Sequence, residues 1–117
     1  SFIARGTVFN VVELQRLIVQ AVQKKGFSLV EIISPCPTIF GRLNRKGNAV
    51  EMMQELKELS LPFAAAQKLP PEKIEGRILT GVLHNVEKPE FIDTYTKMCA
   101  DINAQQGKSD PAKGGKK

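Results

Sequence analysis

The sequence has no Trp, one Tyr, one His and only two Cys among its 117 residues. Each scarcity excludes something. Two cysteines 63 positions apart, with no CxxC, make no disulfide scaffold. A cluster held only by thiolates needs four, so this chain cannot build one alone. The 6% of aromatic residues are not interleaved with Lys or Arg, which leaves no platform for stacking bases. No stretch approaches the ~20 apolar residues of a membrane span. No secretory signal precedes the first strand-like segment, and a cytoplasmic location is the expectation.

What is present is the composition of an ordinary globular domain, 42% hydrophobic and 25% charged. Such a length buries roughly two-thirds of its unfolded surface. The net charge of +5 is unevenly spread. From Gly107 to Lys117, four lysines (108, 113, 116 and 117) stand against Asp110, giving +3, so the body carries only +2. The division expected is a compact body over 1–106 and a disordered basic tail over 107–117.

The body alternates strand and helix patterns. Phe2 to Arg5 reads as a short strand. Asn10 and Glu13 have the spacing of a capping box, and Leu14, Leu17, Ile18, Ala21 and Val22 follow on one helical face. Gly26 suits a left-handed cap. Phe27–Ile33 is nearly continuous in apolar residues, as a strand buried on both faces of a parallel sheet would be. Strand, helix and strand in this order predict a βαβ unit. Asn48 and Glu51 mark a second capping box, with Met52, Met53, Leu56 and Leu59 as core candidates. Pro62, Pro70 and Pro71 bracket an irregular stretch. Arg77–Leu83 reads as a third strand, and Pro89 opens a last helix with the stripe Phe91, Tyr95, Met98 and Ile102. Three strands and three helices barely cover both faces of a parallel sheet. With a chain that starts at Ser1, this leads us to expect the C-terminal part of a longer polypeptide.

The informative segment is Ser34-Pro35-Cys36-Pro37-Thr38, directly after the apolar strand. In open α/β sheets, ligands gather at the carboxyl ends of the strands. Pro35 and Pro37 stiffen the backbone on either side of Cys36 and so fix the direction of its thiol. Two roles fit it on these grounds, a presented ligand or a small buried hydrophobe. Cys99, beside the last helical stripe, reads as packing. Thr38 and Ile39, unlike the prolines, keep free amides able to donate hydrogen bonds. Arg42 and Arg45 make either a solvated loop or a contact for an anionic group or an acidic partner. His84 has no carboxylate or Cys at ligand spacing and reads as a surface or satisfied residue.

Several of these segments are familiar together. Ala4-Arg5-Gly6, Lys25-Gly26-Phe27-Ser28 and Ser34-Pro35-Cys36-Pro37-Thr38 resemble the β subunit of 2-oxoacid:ferredoxin oxidoreductases. Phe40-Gly41-Arg42-Leu43-Asn44, Met52-Met53, Gly81-Val82-Leu83-His84 and Glu87-Lys88-Pro89-Glu90-Phe91 resemble its 2-oxoglutarate branch. The resemblance implies the C-terminal portion of a thiamine-diphosphate-binding α/β fold, with parallel strands in a βαβ unit and a helical, irregular extension. It implies an α subunit as partner, thiamine diphosphate with Mg2+, a [4Fe–4S] cluster, a 2-oxoacid and coenzyme A as substrates, and ferredoxin as acceptor. By its place in the motif, Cys36 resembles the last cluster ligand of the β subunit. The family's Gly-Asp-Gly segment and its other Cys motifs are missing here. No catalytic or thiamine-binding residue is therefore assigned, and the chain alone is expected to be inactive.

Two other functions compete. A non-catalytic α/β module with a basic tail would bind an acidic partner or nucleic acid, although the charge is concentrated outside the body. A thiol redox protein would need a resolving Cys near Cys36, and none is there.

Overall fold

A computed structural model describes residues 1–106, in two units, Ser1–Val86 and a second that begins at Glu87. In the first, strand β1 (Phe2–Thr7), helix α1 (Val11–Gln23) and strand β2 (Ser28–Ile33) form the expected βαβ unit. β1 and β2 pair in parallel from Phe2↔Ser28 to Thr7↔Ile33. After a helical turn over Pro37–Gly41 come helix α2 (Ala49–Leu59), strand β3 (Ser60–Pro62), the short helix α3 (Phe63–Ala66) and strand β4 (Ile78–Asn85). The second unit holds helix α4 (Phe91–Gln106).

The four strands make one mixed sheet in the order β2-β1-β4-β3. β4 runs antiparallel to β1 and parallel to β3. The protein is thus α/β, but the sheet is not wholly parallel. β3 was hidden in the proline-bracketed stretch, because three residues ending in Pro62 carry no period of their own. β2 also departs from expectation. It is an edge strand with Leu29 and Ile32 half exposed, where its apolar run predicted burial on both faces.

The core forms where α1 crosses the sheet. Phe2 and Ala4 alternate onto one face of β1 and are buried with Leu17, flanked by Ala21, Val30 and Val82. Gly6 continues that face, and a Cβ there would sit 2.8 Å from a methyl of Leu14. The absence of a side chain lets α1 approach the strand.

Both predicted caps form, in different degrees. Asn48 accepts from the amides of Val50 and Glu51, and the Glu51 carboxylate accepts from the Asn48 amide, a complete capping box. At α1 the Asn10 side chain accepts from the Glu13 amide, but the Glu13 carboxylate takes the Asn10 side-chain amide instead of its backbone N–H. Gly26 has the anticipated positive φ, 93°, two residues beyond the cap at Lys24.

In the second unit, Glu90 initiates α4. Its carboxylate accepts from the Asp93 amide at 2.9 Å, and its carbonyl from the Thr94 amide at 3.0 Å. Phe91 and Tyr95 stack one turn apart, and the stripe from Phe91 to Ile102 is exposed. The basic tail expected over 107–117 lies outside the described residues. Among the described residues no helix is long and apolar enough to cross a membrane.

Candidate functional site

The chain leaves β2 at Ile33 and reaches Cys36 within three residues, so the thiol stands at the carboxyl end of the strand. Pro37 then starts the helical turn, a position where its missing N–H leaves no bond unmade. The turn closes from the Gly41 amide to the Cys36 carbonyl at 2.9 Å, five residues back, and is therefore wider than an α-turn.

That winding decides the chemistry of the thiol. Cys36 is exposed and free of any disulfide. The amide of Phe40, then that of Ile39, then the Thr38 hydroxyl turn toward its sulfur and hold its pKa below the ordinary thiol value. The Thr38 Oγ1 stands 3.9 Å from Sγ. Hydrogen bonds to the charged form favour it, so the turn is a seat for a thiolate. The sequence offered the backbone amides of Thr38 and Ile39 as donors, and not the Thr38 hydroxyl. It missed Phe40, because only the wide turn brings that amide back to the sulfur.

The turn is braced from behind. Gly41 is buried, and a Cβ there would meet Met52 Sδ at 2.6 Å. Met52 itself is buried on α2, as expected of core. Asn44 ties back to the Phe40 carbonyl through its backbone and side-chain amides, at 3.0 and 2.8 Å. Gly47, with φ 82°, then leads into the α2 capping box. Beside the thiol lies a groove of about 540 Å3 whose lining includes Ile33, Cys36, Phe40, Met52 and Leu56, with the Lys46–Glu55 ion pair as its charged part.

The other candidates lie apart from one another. Arg42 and Arg45 are exposed after the turn, Arg45 with φ 53°. His84 is exposed near the end of β4, with Nε2 3.3 Å from the Ser1 hydroxyl. Cys99 is half-buried on α4. Among the described residues no three His, Cys, Asp or Glu side chains gather as a metal site.

Comparison with known proteins supplies what geometry does not. The 2-oxoglutarate synthase subunit KorB of Methanothermobacter thermautotrophicus is 38% identical over 109 residues, 93% of this chain and 37% of that protein. Its namesake from Methanocaldococcus jannaschii is 33% identical over 105 residues, 90% of this chain and 39% of that protein. The chain is a homologue of 2-oxoacid:ferredoxin oxidoreductase β subunits. A protein so named from Saccharolobus solfataricus is 23% identical over 123 residues, 96% of this chain and 39% of the relative. The resemblance read from the motifs is thereby shown, on either side of the Cys36 turn. The chain spans about two fifths of the length of the curated relatives it matches. No family model matches it, and neither does any solved structure.

Proposed function

We propose that this chain is part of the β subunit of a 2-oxoacid:ferredoxin oxidoreductase, acting on 2-oxoglutarate, and that Cys36 is one ligand of its [4Fe–4S] cluster. The observation that carries the reading is the Cys36 turn. It is an exposed thiol whose pKa is lowered by hydrogen bonding to the turn that follows it, within a sequence related to such subunits over nine-tenths of its length.

The fit to the cluster is that of a single ligand. A thiolate is the donor that iron–sulfur clusters take, and the turn lowers the Cys36 pKa toward that form. Three further ligands come from elsewhere in the complete subunit, since no group of three or more His, Cys, Asp or Glu gathers among the described residues. When bound, the cluster supplies one-electron transfer. This chain's part is to hold one thiolate, to direct the amides of Phe40 and Ile39 at its sulfur and so tune the potential, and to keep the loop from shifting. Met52 behind Gly41 does the last of these.

No residue here is assigned to thiamine diphosphate or Mg2+, and the Gly-Asp-Gly segment of the resemblance is missing. In this reading the thiamine-binding fold is completed by the rest of the subunit. Decarboxylation and transfer of the acyl group to coenzyme A belong to the complex with the α subunit. Arg42 and Arg45 face solvent beside the Cys36 turn, where cations suit an acidic electron acceptor such as ferredoxin.

The test is reconstitution. The complete subunit with its α partner, prepared without oxygen, should reduce ferredoxin in a reaction requiring both 2-oxoglutarate and coenzyme A. This chain alone should bind no thiamine diphosphate by titration calorimetry with Mg2+. Submillimolar binding by the isolated chain would overturn the division of labour, and a complete complex inert toward every 2-oxoacid would overturn the function.

A further inference from the structure

The groove beside Cys36 has apolar walls, among them Ile33, Phe40, Leu56, Leu59 and Ile78. Among the described residues that line it, Lys46 and Glu55 are the two that carry charge. Water reaches both, with side chains 38% and 39% exposed, and an ion pair so placed adds little to stability. Stability is therefore a poor reason for two charges in an apolar hollow. Their attachment supplies a better one.

Lys46 belongs to the loop that presents Cys36. The Gly41 amide donates to the Cys36 carbonyl at 2.9 Å, and the Lys46 amide donates to the Gly41 carbonyl at 2.9 Å. Two backbone bonds in series thus link the thiol's own residue to the lysine. Glu55 belongs to α2, three residues beyond Met52 and so on the same side of that helix as the brace behind Gly41. Its carboxylate accepts from the Lys46 ammonium at 2.5 Å. α2 therefore meets the loop twice, through Met52 at Gly41 and through Glu55 at Lys46. The ammonium has a defined place in the hollow that the thiol shares.

Thiolate ligation leaves an iron–sulfur cluster with net negative charge, and one-electron reduction increases it. A fixed cation in surroundings of low polarity favours the reduced state, and a fixed anion opposes it. We propose that Lys46 raises the reduction potential of the cluster that Cys36 ligates. Glu55 is the positioning residue: it holds the ammonium in the groove and offsets part of its charge. The inference rests on the cluster reading above and gives the loop a second task, that of carrying a charge as well as a ligand.

Redox titration of the complete enzyme, followed by the EPR signal of the reduced cluster, is the test. Lys46→Met leaves the carboxylate alone and should lower the midpoint potential. Glu55→Gln leaves the ammonium alone and should raise it, and the double variant should lie between the two. Lys57→Met is the control. It removes the same charge from α2 at a place outside this groove, where the ammonium stands over the Phe9 ring 5.4 Å from its centroid, and the potential should stay where it was. A pair that only latches the loop would move both single variants in one direction or neither, and either result would overturn the proposal. An equal fall in the Lys57 variant would do so too, by assigning the effect to net charge. If Lys46→Met assembles no cluster, Glu55→Gln decides alone, and a potential that falls or stays would overturn the role. Failure of the cluster reading looks different. A full cluster in Cys36→Ser would overturn both readings, whereas unmoved potentials beside a cluster that Cys36→Ser abolishes would overturn this proposal and leave the ligand standing.

Discussion

The two cysteines occupy opposite kinds of place. Cys99 sits on α4, where helical backbone amides are spent on carbonyls one turn back and none is left for a side chain. Cys36 sits just before a five-residue turn, and hydrogen bonding from the Phe40 and Ile39 amides lowers the pKa of its thiol. The same thiol group is half-buried on a helix in one setting and exposed, with a lowered pKa, in the other. Backbone winding makes the difference, and the buried contact between Gly41 and Met52 holds the winding in place.

The comparison breaks most severely if the brace is removed. Met52→Ala should cost about 2–5 kcal/mol of stability, the range for deleting a buried Met side chain, and chemical denaturation would measure it. Its local signature should be loss of amide protection from Thr38 to Gly41, with α4 unaffected. Uniform loss across both units would show that Met52 supports the whole body and not the turn. Next in size is Gly47→Ala, at about 2 kcal/mol. A left-handed φ is strained for alanine, and the new Cβ would displace the Glu51 carboxylate from the capping box. Unchanged thermal unfolding would contradict the cap's part in holding the loop.

The smallest effect sharpens the chemical side of the comparison. Because hydrogen bonds from Phe40, Ile39 and Thr38 lower the Cys36 pKa, the thiol loses its proton at a lower pH than an ordinary cysteine. Iodoacetamide alkylation of Cys36, followed by mass spectrometry, should reach its plateau at a pH below that of a short unstructured Cys peptide. Thr38→Val removes one donor and should move the midpoint upward. A Cys36 profile matching the peptide would mean that the turn does not stabilise the thiolate.

Much of this arrangement was legible in the sequence, and the reason lies in local chemistry. Asn-x-x-Glu before an apolar period announced α1 and α2, since both the cap and the helical face are encoded within a few residues of one another. The parallel pairing of β1 with β2 followed from the helix between them. Motif resemblance pointed to Cys36, and the flanking prolines explained its rigidity. What escaped was nonlocal. Nothing around Ser60–Pro62 announces a strand, because its pairing is with Ile78–Thr80. The antiparallel course of β4 depends on which neighbour it finds, and it finds β1. The Phe40 amide became visible as a donor only once Gly41 closed the turn onto the Cys36 carbonyl. The apolar run of β2 was expected to be buried on both faces, yet it lies at an edge with Leu29 and Ile32 half exposed, because its own residues do not encode how many neighbours it has.

The most direct measurement compares Cys36→Ser with Cys99→Ser in the complete enzyme, by iron content and by the EPR signal of the reduced cluster. The account predicts that Cys36→Ser impairs the [4Fe–4S] signal and slows electron transfer to ferredoxin while thiamine diphosphate binding survives. Cys99→Ser should leave the cluster untouched, with at most a modest loss of packing. A full cluster complement and unchanged electron transfer in the Cys36 variant would contradict the assignment and leave this residue an exposed loop thiol.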